Sequence, residues 1–323
     1  MKAKAKNMII VLGIFFLILI VAGFIAGNIL YNLAINPKSD KSAVFDAPEN
    51  VVAGSTEVNP EALQDRQEEK EWFNSIGYEN IYLESKDRLR LHAYMIPNKN
   101  KTGRWAILCH GYTSVGTAMI KPAMTFYNMD FNILIPEARG HGMSEGNYIG
   151  MGWHDRLDIV SWINEIVRKD KDAEIILYGV SMGGTTVMMV SGEELPENVK
   201  AIIEDCGYSS VWEELAYQMK TLFRLPAFPV LYFASAVTGI RAGYTLGEAD
   251  AVKQVAKTKT PMLFIHGDSD TFVPPYMLDK VYNAAGGPKE KLIVRGAGHG
   301  AAALADSAAY WETVKNFIDR FLS

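Results

Sequence analysis

The hydrophobic pattern divides the chain into three stretches of different kind. From Met8 to Gly27 runs MIIVLGIFFLILIVAGFIAG, 20 residues without a charge and without the polar stripe of an amphipathic helix. At about 1.5 Å rise per residue that helix is about 30 Å long, the thickness of a bilayer core. Residues 28–58 show no sustained period; Asn36-Pro37, a Lys/Asp/Ser cluster, Pro48 and Gly54 mark a spacer. A helix is predicted from Asn59, with Pro60 and Glu61 in its first turn, through EALQDRQEEKEWFNSI to Gly77.

Beyond Gly77 the pattern changes to short apolar runs alternating with amphipathic stretches. IYLES and LRLHAYMI, separated by Lys86-Asp87-Arg88, predict an antiparallel hairpin. WAILCHG (105–111), FNILIPE (131–137), EIILYG (174–179), VKAIIEDC (199–206), PMLFIHG (261–267) and EKLIVRG (290–296) are buried strands by the same criterion. Helical stretches fall at about 117–129, 154–169, from Gly183 onward, and 304–322. Such alternation predicts an α/β fold with a mostly parallel central sheet and helices on both faces. In such sheets ligands bind beyond the carboxyl ends of the strands.

One interval is too long for a plain crossover. Between Cys206 and Pro261 lies an aromatic-rich segment, VWEELAYQMKTLFRLPAFPVLYFASAVTGI, interrupted by Pro226 and Pro229. It reads either as additional core or as a helical cap, about residues 207–258, walling an apolar pocket over the strand ends. The expected organisation is therefore an anchor over 1–27, a spacer over 28–58 and one catalytic domain over 59–323.

Charge sharpens this picture. The three basic residues before the apolar run are Lys2, Lys4 and Lys6, with no acid, whereas Lys38 and Lys41 after it are offset by Asp40. The positive-inside rule then puts the N-terminus in the cytoplasm and the body outside. A cleaved signal peptide shares the basic start and apolar run, and either reading exports the body. Residues 28–323 carry 29 basic and 37 acidic side chains, a net charge of −8 that disfavours nucleic acid as a partner. Two cysteines exclude a disulfide scaffold, and no H-E-x-x-H, Walker or dinucleotide motif implies a metal or nucleotide cofactor.

The chemistry concentrates at the strand ends. G-x-S-x-G occurs twice, around Ser144 and around Ser181. Only Ser181 follows a strand and opens a helical stretch, the setting of a nucleophile elbow; Ser144 lies between turns. A serine needs a base to remove its proton, and the base needs a carboxylate to orient it. His299, between two glycines after EKLIVRG, fits the base. Asp270, Asp268 and Asp205 each stand near a strand end and compete for the acid.

HGYTS (110–114), RGHGMS (139–144), GVSMGG (179–184), HGDSDTFVP (266–274) and GAGHG (296–300), in that order, resemble the α/β-hydrolase superfamily, in particular its bacterial serine esterase and serine aminopeptidase-like branch. The likeness covers residues 70–323. It implies an α/β-hydrolase fold, Ser181 as nucleophile, His299 as base and Asp270 as acid. It also implies backbone N–H donors at Tyr112 and Met182 for an oxyanion. Glu137 departs from the aspartate that the family often has before RGHG. The expected substrate is a small acyl compound, first a carboxylic ester and alternatively a short peptide. A hydrolase-like binding protein without turnover is the reading from a different class.

Overall fold

The computed structural model describes residues 2–41 and 60–322. Among the described residues, eight strands form one sheet: β1 (Glu79–Glu84), β2 (Arg90–Ile96), β3 (Arg104–Cys109), β4 (Asn132–Pro136), β5 (Glu174–Val180), β6 (Val199–Asp205), β7 (Met262–Gly267) and β8 (Lys289–Val294). Their order is β1-β2-β4-β3-β5-β6-β7-β8. The predicted hairpin is present, since β1 pairs antiparallel with β2 and Leu83 faces Leu91. β2 also pairs antiparallel with β4, and every later pairing is parallel. The carboxyl ends of β3, β5, β6, β7 and β8 therefore share one edge.

The helices are α1 (Lys2–Ala34), α2 (Pro60–Ile76), α3 (Ile120–Asn128), α4 (Asp155–Lys169), α5 (Met182–Val190), α6 (Val211–Phe223), α7 (Val230–Ala242), α8 (Ala251–Val255), α9 (Tyr276–Ala284), α10 (Ala302–Ala305) and α11 (Ser307–Ile318). The middle positions of the central strands are apolar on both sides because both faces of the sheet are covered. Along β3, Ile107 and Cys109 join the core that includes α4, α5 and α9, while Ala106 and Leu108 join the core under α3 and α11. The single helix predicted near the C-terminus is broken at Asp306, whose carboxylate accepts from Ala309 N at 3.1 Å and caps a fresh helix.

Two expected boundaries move. The helix expected to end at Gly27 continues to Ala34, so residues 28–34 are not spacer. Their packing is the reason: Tyr31, Ala34 and Ile35 are buried in the main core, which no isolated spacer could achieve. Residues 42–58 of the predicted spacer lie outside the described residues. Within the expected cap, α6 and α7 are its helices, but α8 packs on α5 and α9 and belongs to the layer covering the sheet.

Helix α1 is long and apolar enough to cross a membrane, with a mean hydropathy of 3.2 in its most apolar window. Its C-terminal third lies against cap helix α7. A Cβ on Gly27 would come within 2.6 Å of the Phe233 carbonyl carbon, so only glycine permits this approach. Phe24 and Phe233 meet edge to face at 5.3 Å. Arg241 donates to Asn28 Oδ1 at 2.7 Å and Asn32 Oδ1 at 3.0 Å, and its guanidinium lies 4.0 Å from the Tyr31 ring centre. The last carbonyls of α1 are satisfied by the body and by its own tail: Tyr112 Oη donates to Ala34 O at 2.7 Å and Lys41 Nζ to Leu33 O at 2.6 Å.

Candidate active site

Ser181 sits between β5 and α5 with φ 57° and ψ −118°, a strained conformation for a residue with a side chain. The turn closes because Gly179 and Gly183, two residues to either side, carry no side chain. A Cβ on Gly183 would stand 2.0 Å from Cys109 O, so α5 can cross β3 only without one. Ser181 N donates to Asp205 O at 2.8 Å, and Ser181 O accepts from Thr185 N at 2.9 Å. These bonds hold the elbow while the hydroxyl projects beyond the sheet edge.

The loop after β8 brings His299 to the serine. His299 Nε2 lies 2.8 Å from Ser181 Oγ, and His299 Nδ1 lies 2.8 Å from Asp270 Oδ2. Asp270 is buried, and its other oxygen accepts from Phe272 N and Val273 N, both at 2.9 Å. Burial works to raise its pKa, but the hydrogen bonds and positive charge of His266 and His299 outweigh that and hold it at about 2. The carboxylate is therefore ionised and fixed.

The competitors stand elsewhere. Asp268 is exposed and accepts from Gly296 N at 2.7 Å, clipping one loop to another. Asp205 accepts from Tyr310 Oη at 2.8 Å, and burial raises its pKa. Ser144 is a buried turn residue, donating to Glu137 O at 2.7 Å and accepting from His92 N at 2.8 Å. Cys206 Sγ lies within 4.8 Å of ligand atoms of Asp270 and His299. Burial pushes its thiol pKa well up, so it is a protonated S–H rather than a thiolate ligand.

The two expected oxyanion donors flank the serine. Met182 is the first residue of α5, where helical N–H groups have no partner within the helix. Tyr112 follows Gly111, whose Cβ position would lie 3.6 Å from Ser181 Cβ, and it lines the same cavity as Ser181. His110 holds this loop. Its Nδ1 lies 2.9 Å from Gly111 O and its Nε2 accepts from Ala138 N at 3.0 Å. Burial pushes its pKa down to about 3, which keeps the ring neutral and both contacts intact.

Residues 101–235 match the family model of the serine aminopeptidases, S33. A Bacillus subtilis protein, YqkD, is 27% identical over 249 residues, covering 73% of this chain and 82% of its own. A membrane protein of Saccharomyces cerevisiae is 23% identical over 75% of this chain and 80% of its own. The solved structure of the Pyrococcus furiosus esterase Pf2001 superposes with a TM-score of 0.62, at 20% identity, over 77% of this chain and 93% of the esterase. The chain has the α/β-hydrolase fold.

Within that fold, several contacts at the strand ends are this chain's own. His266, the first residue of the HGDSDTFVP motif, shares an Nε2–H between Val273 O at 2.8 Å and Asp270 Oδ2 at 3.1 Å. Its position in HGDSD, four residues before Asp270, was the available signal. Glu137 uses its longer reach to accept from Met143 N at 2.6 Å and Gly116 N at 3.1 Å while bonding His92 Nδ1 at 3.0 Å. It clamps the RGHG turn. The wall that α1 contributes beside Ser181 was also missed, although the apolar spacing continues through Leu30, Leu33 and Ala34.

Proposed function

We propose that this α/β-hydrolase is a serine hydrolase that cleaves carboxylic esters through an acyl-enzyme intermediate. Ser181 Oγ attacks the carbonyl carbon as His299 Nε2 takes its proton, and Asp270 holds the imidazole in the tautomer this requires. The N–H groups of Tyr112 and Met182 receive the developing oxyanion, each worth on the order of 10²–10³ in rate. His299 returns the proton to the departing alkoxide, and a water activated by the same ring releases the acid. The observation that carries this reading is the unbroken chain from Ser181 through His299 to Asp270, with 2.8 Å at each contact.

An ester is favoured because the cavity at Ser181 is almost wholly apolar. A peptide with a free amino terminus is the second reading, and Glu214 weighs against it. This buried residue lines the cavity, and its Oε2 has no hydrogen-bond partner among the described residues. Burial raises its pKa to about 8, so at neutral pH it presents a carboxylic acid instead of the charge that an ammonium group would select. The charge pattern around α1 supports a bilayer-spanning anchor with the N-terminus in the cytoplasm and the catalytic body outside.

A fluorophosphonate probe on the purified chain tests the nucleophile. Wild type should label at Ser181, and Ser181→Ala should abolish labelling; unchanged labelling of the variant overturns the assignment. A panel of p-nitrophenyl esters and aminoacyl arylamides orders the two substrate readings. Faster turnover of the arylamides would reverse that order.

A further inference from the structure

The cavity that opens on Ser181 is built jointly by the body and the anchor. It is a narrow cavity of about 60 Å³. Leu30, Leu33 and Ala34 of α1 form one wall and Met219, Leu222 and Phe223 of α6 another. Those α1 residues lie three to seven positions past Gly27, about 5–10 Å of helix rise beyond the end of the apolar run. A helix that spans the bilayer with Met8–Gly27 thus sets this pocket, and the serine in it, directly over the lipid surface.

The cap supports the same orientation independently. α7 touches α1 at Gly23, Phe24 and Gly27, so it lies level with the last turns of the membrane span. Near it the cap leaves large apolar side chains in the open: Phe228 is 71% exposed, Tyr232 58% and Ile240 77%. Residues 217–243 hold Lys220, Arg224 and Arg241 and no acid, although the body as a whole is acidic. Exposed aromatic and aliphatic side chains with basic residues among them suit the headgroup layer of an anionic bilayer.

We propose that the pocket takes the acyl chain of a membrane lipid ester, which enters from the bilayer beside α1 and delivers its carbonyl to Ser181. The inference rests on the serine hydrolase reading and adds the substrate class. The apolar walls would take the chain, and the ester bond would lie where the chain leaves the pocket for the strand ends. A soluble short-chain ester would gain nothing from the anchor.

The test uses the full chain reconstituted in phosphatidylglycerol/phosphatidylcholine vesicles. Two substrates are followed: a vesicle-embedded fluorogenic phosphatidylglycerol and water-soluble p-nitrophenyl butyrate. Wild type should turn over both with dependence on Ser181. Leu33→Trp, which fills the pocket, should lower the ratio of lipid to butyrate turnover at least tenfold. The paired exposed substitutions Phe228→Ser and Ile240→Ser should lower the same ratio at least fivefold. Ser181-dependent cleavage of butyrate with none of the vesicle lipid overturns the lipid inference and leaves the hydrolase reading standing. A ratio unmoved by either set of substitutions overturns it equally. Turnover of neither substrate, or of both by Ser181→Ala, overturns the hydrolase reading itself.

Discussion

Asp270 and Glu204 are two buried carboxylates near neighbouring strand ends, and their surroundings drive them in opposite directions. Asp270 collects two backbone N–H groups and two imidazoles, enough to overcome the cost of burying its charge. Glu204 has Gly207 N at 3.0 Å on one oxygen, and its Oε1 has no partner among the described residues. Burial raises its pKa to about 8. The folded chain therefore holds a proton on Glu204 that the unfolded chain releases above its ordinary value of 4.5. Stability from this group falls as pH rises from about 4.5 to about 8, because the native state binds the extra proton. Glu204→Gln keeps the shape and removes the titration. Melting followed from pH 5 to pH 8 should show a shallower decline in the variant, by up to about 1.4 kcal/mol per pH unit for one proton. Parallel declines in the two proteins would place the proton elsewhere.

At the scale of elements, the contact between α1 and α7 is what distinguishes this chain from a hydrolase on a loose tether. Close approach through small residues, an aromatic pair and the Arg241 bridge to Asn28 and Asn32 make one packed unit of anchor and cap. Gly27→Leu should force the helices apart and cost about 1–3 kcal/mol, the usual penalty of overpacking. Gly13→Leu is the control, since no heavy atom lies within 4 Å of a Cβ placed there. Thermal unfolding of the detergent-solubilised full chain should show a lower midpoint for Gly27→Leu and an unchanged one for Gly13→Leu. Equal midpoints would mean that α1 contributes nothing to the folded body.

For the whole molecule, the proposed orientation, N-terminus in the cytoplasm and body outside, rests on the three lysines before the apolar run. Protease added to intact cells should digest the catalytic body and spare only the N-terminal span. Resistance until the membrane is permeabilised would put the body in the cytoplasm. Recovery of a free body with its N-terminus beyond Gly23 would identify the apolar run as a signal peptide.

Local chemistry was enough to specify the sheet. The apolar runs are short because each strand crosses a buried layer, and helices separate them because parallel neighbours need crossovers. Ser181 could be told from Ser144 in the sequence because a strand before and a helix after are local properties. Choosing Asp270 over Asp268 and Asp205 was not local. It needed the resemblance to a known family, and in the structure it depends on which loop reaches His299 Nδ1 across 29 residues. His266 beside Asp270 is equally a product of how the β7 end folds back on itself. The reach of α1 to Ala34 was lost in the sequence because its last two turns mix Asn28, Asn32 and Tyr31 with leucines, a pattern that makes sense only against α7 and Tyr112. Periodicity thus determined a membrane-length helix and an α/β body as separate parts, and the motifs, by resemblance to a known family, implied a hydrolase. That the end of the one walls the pocket of the other was decided by tertiary packing, because such a contact joins residues about 150 to 200 positions apart and leaves no period along the chain.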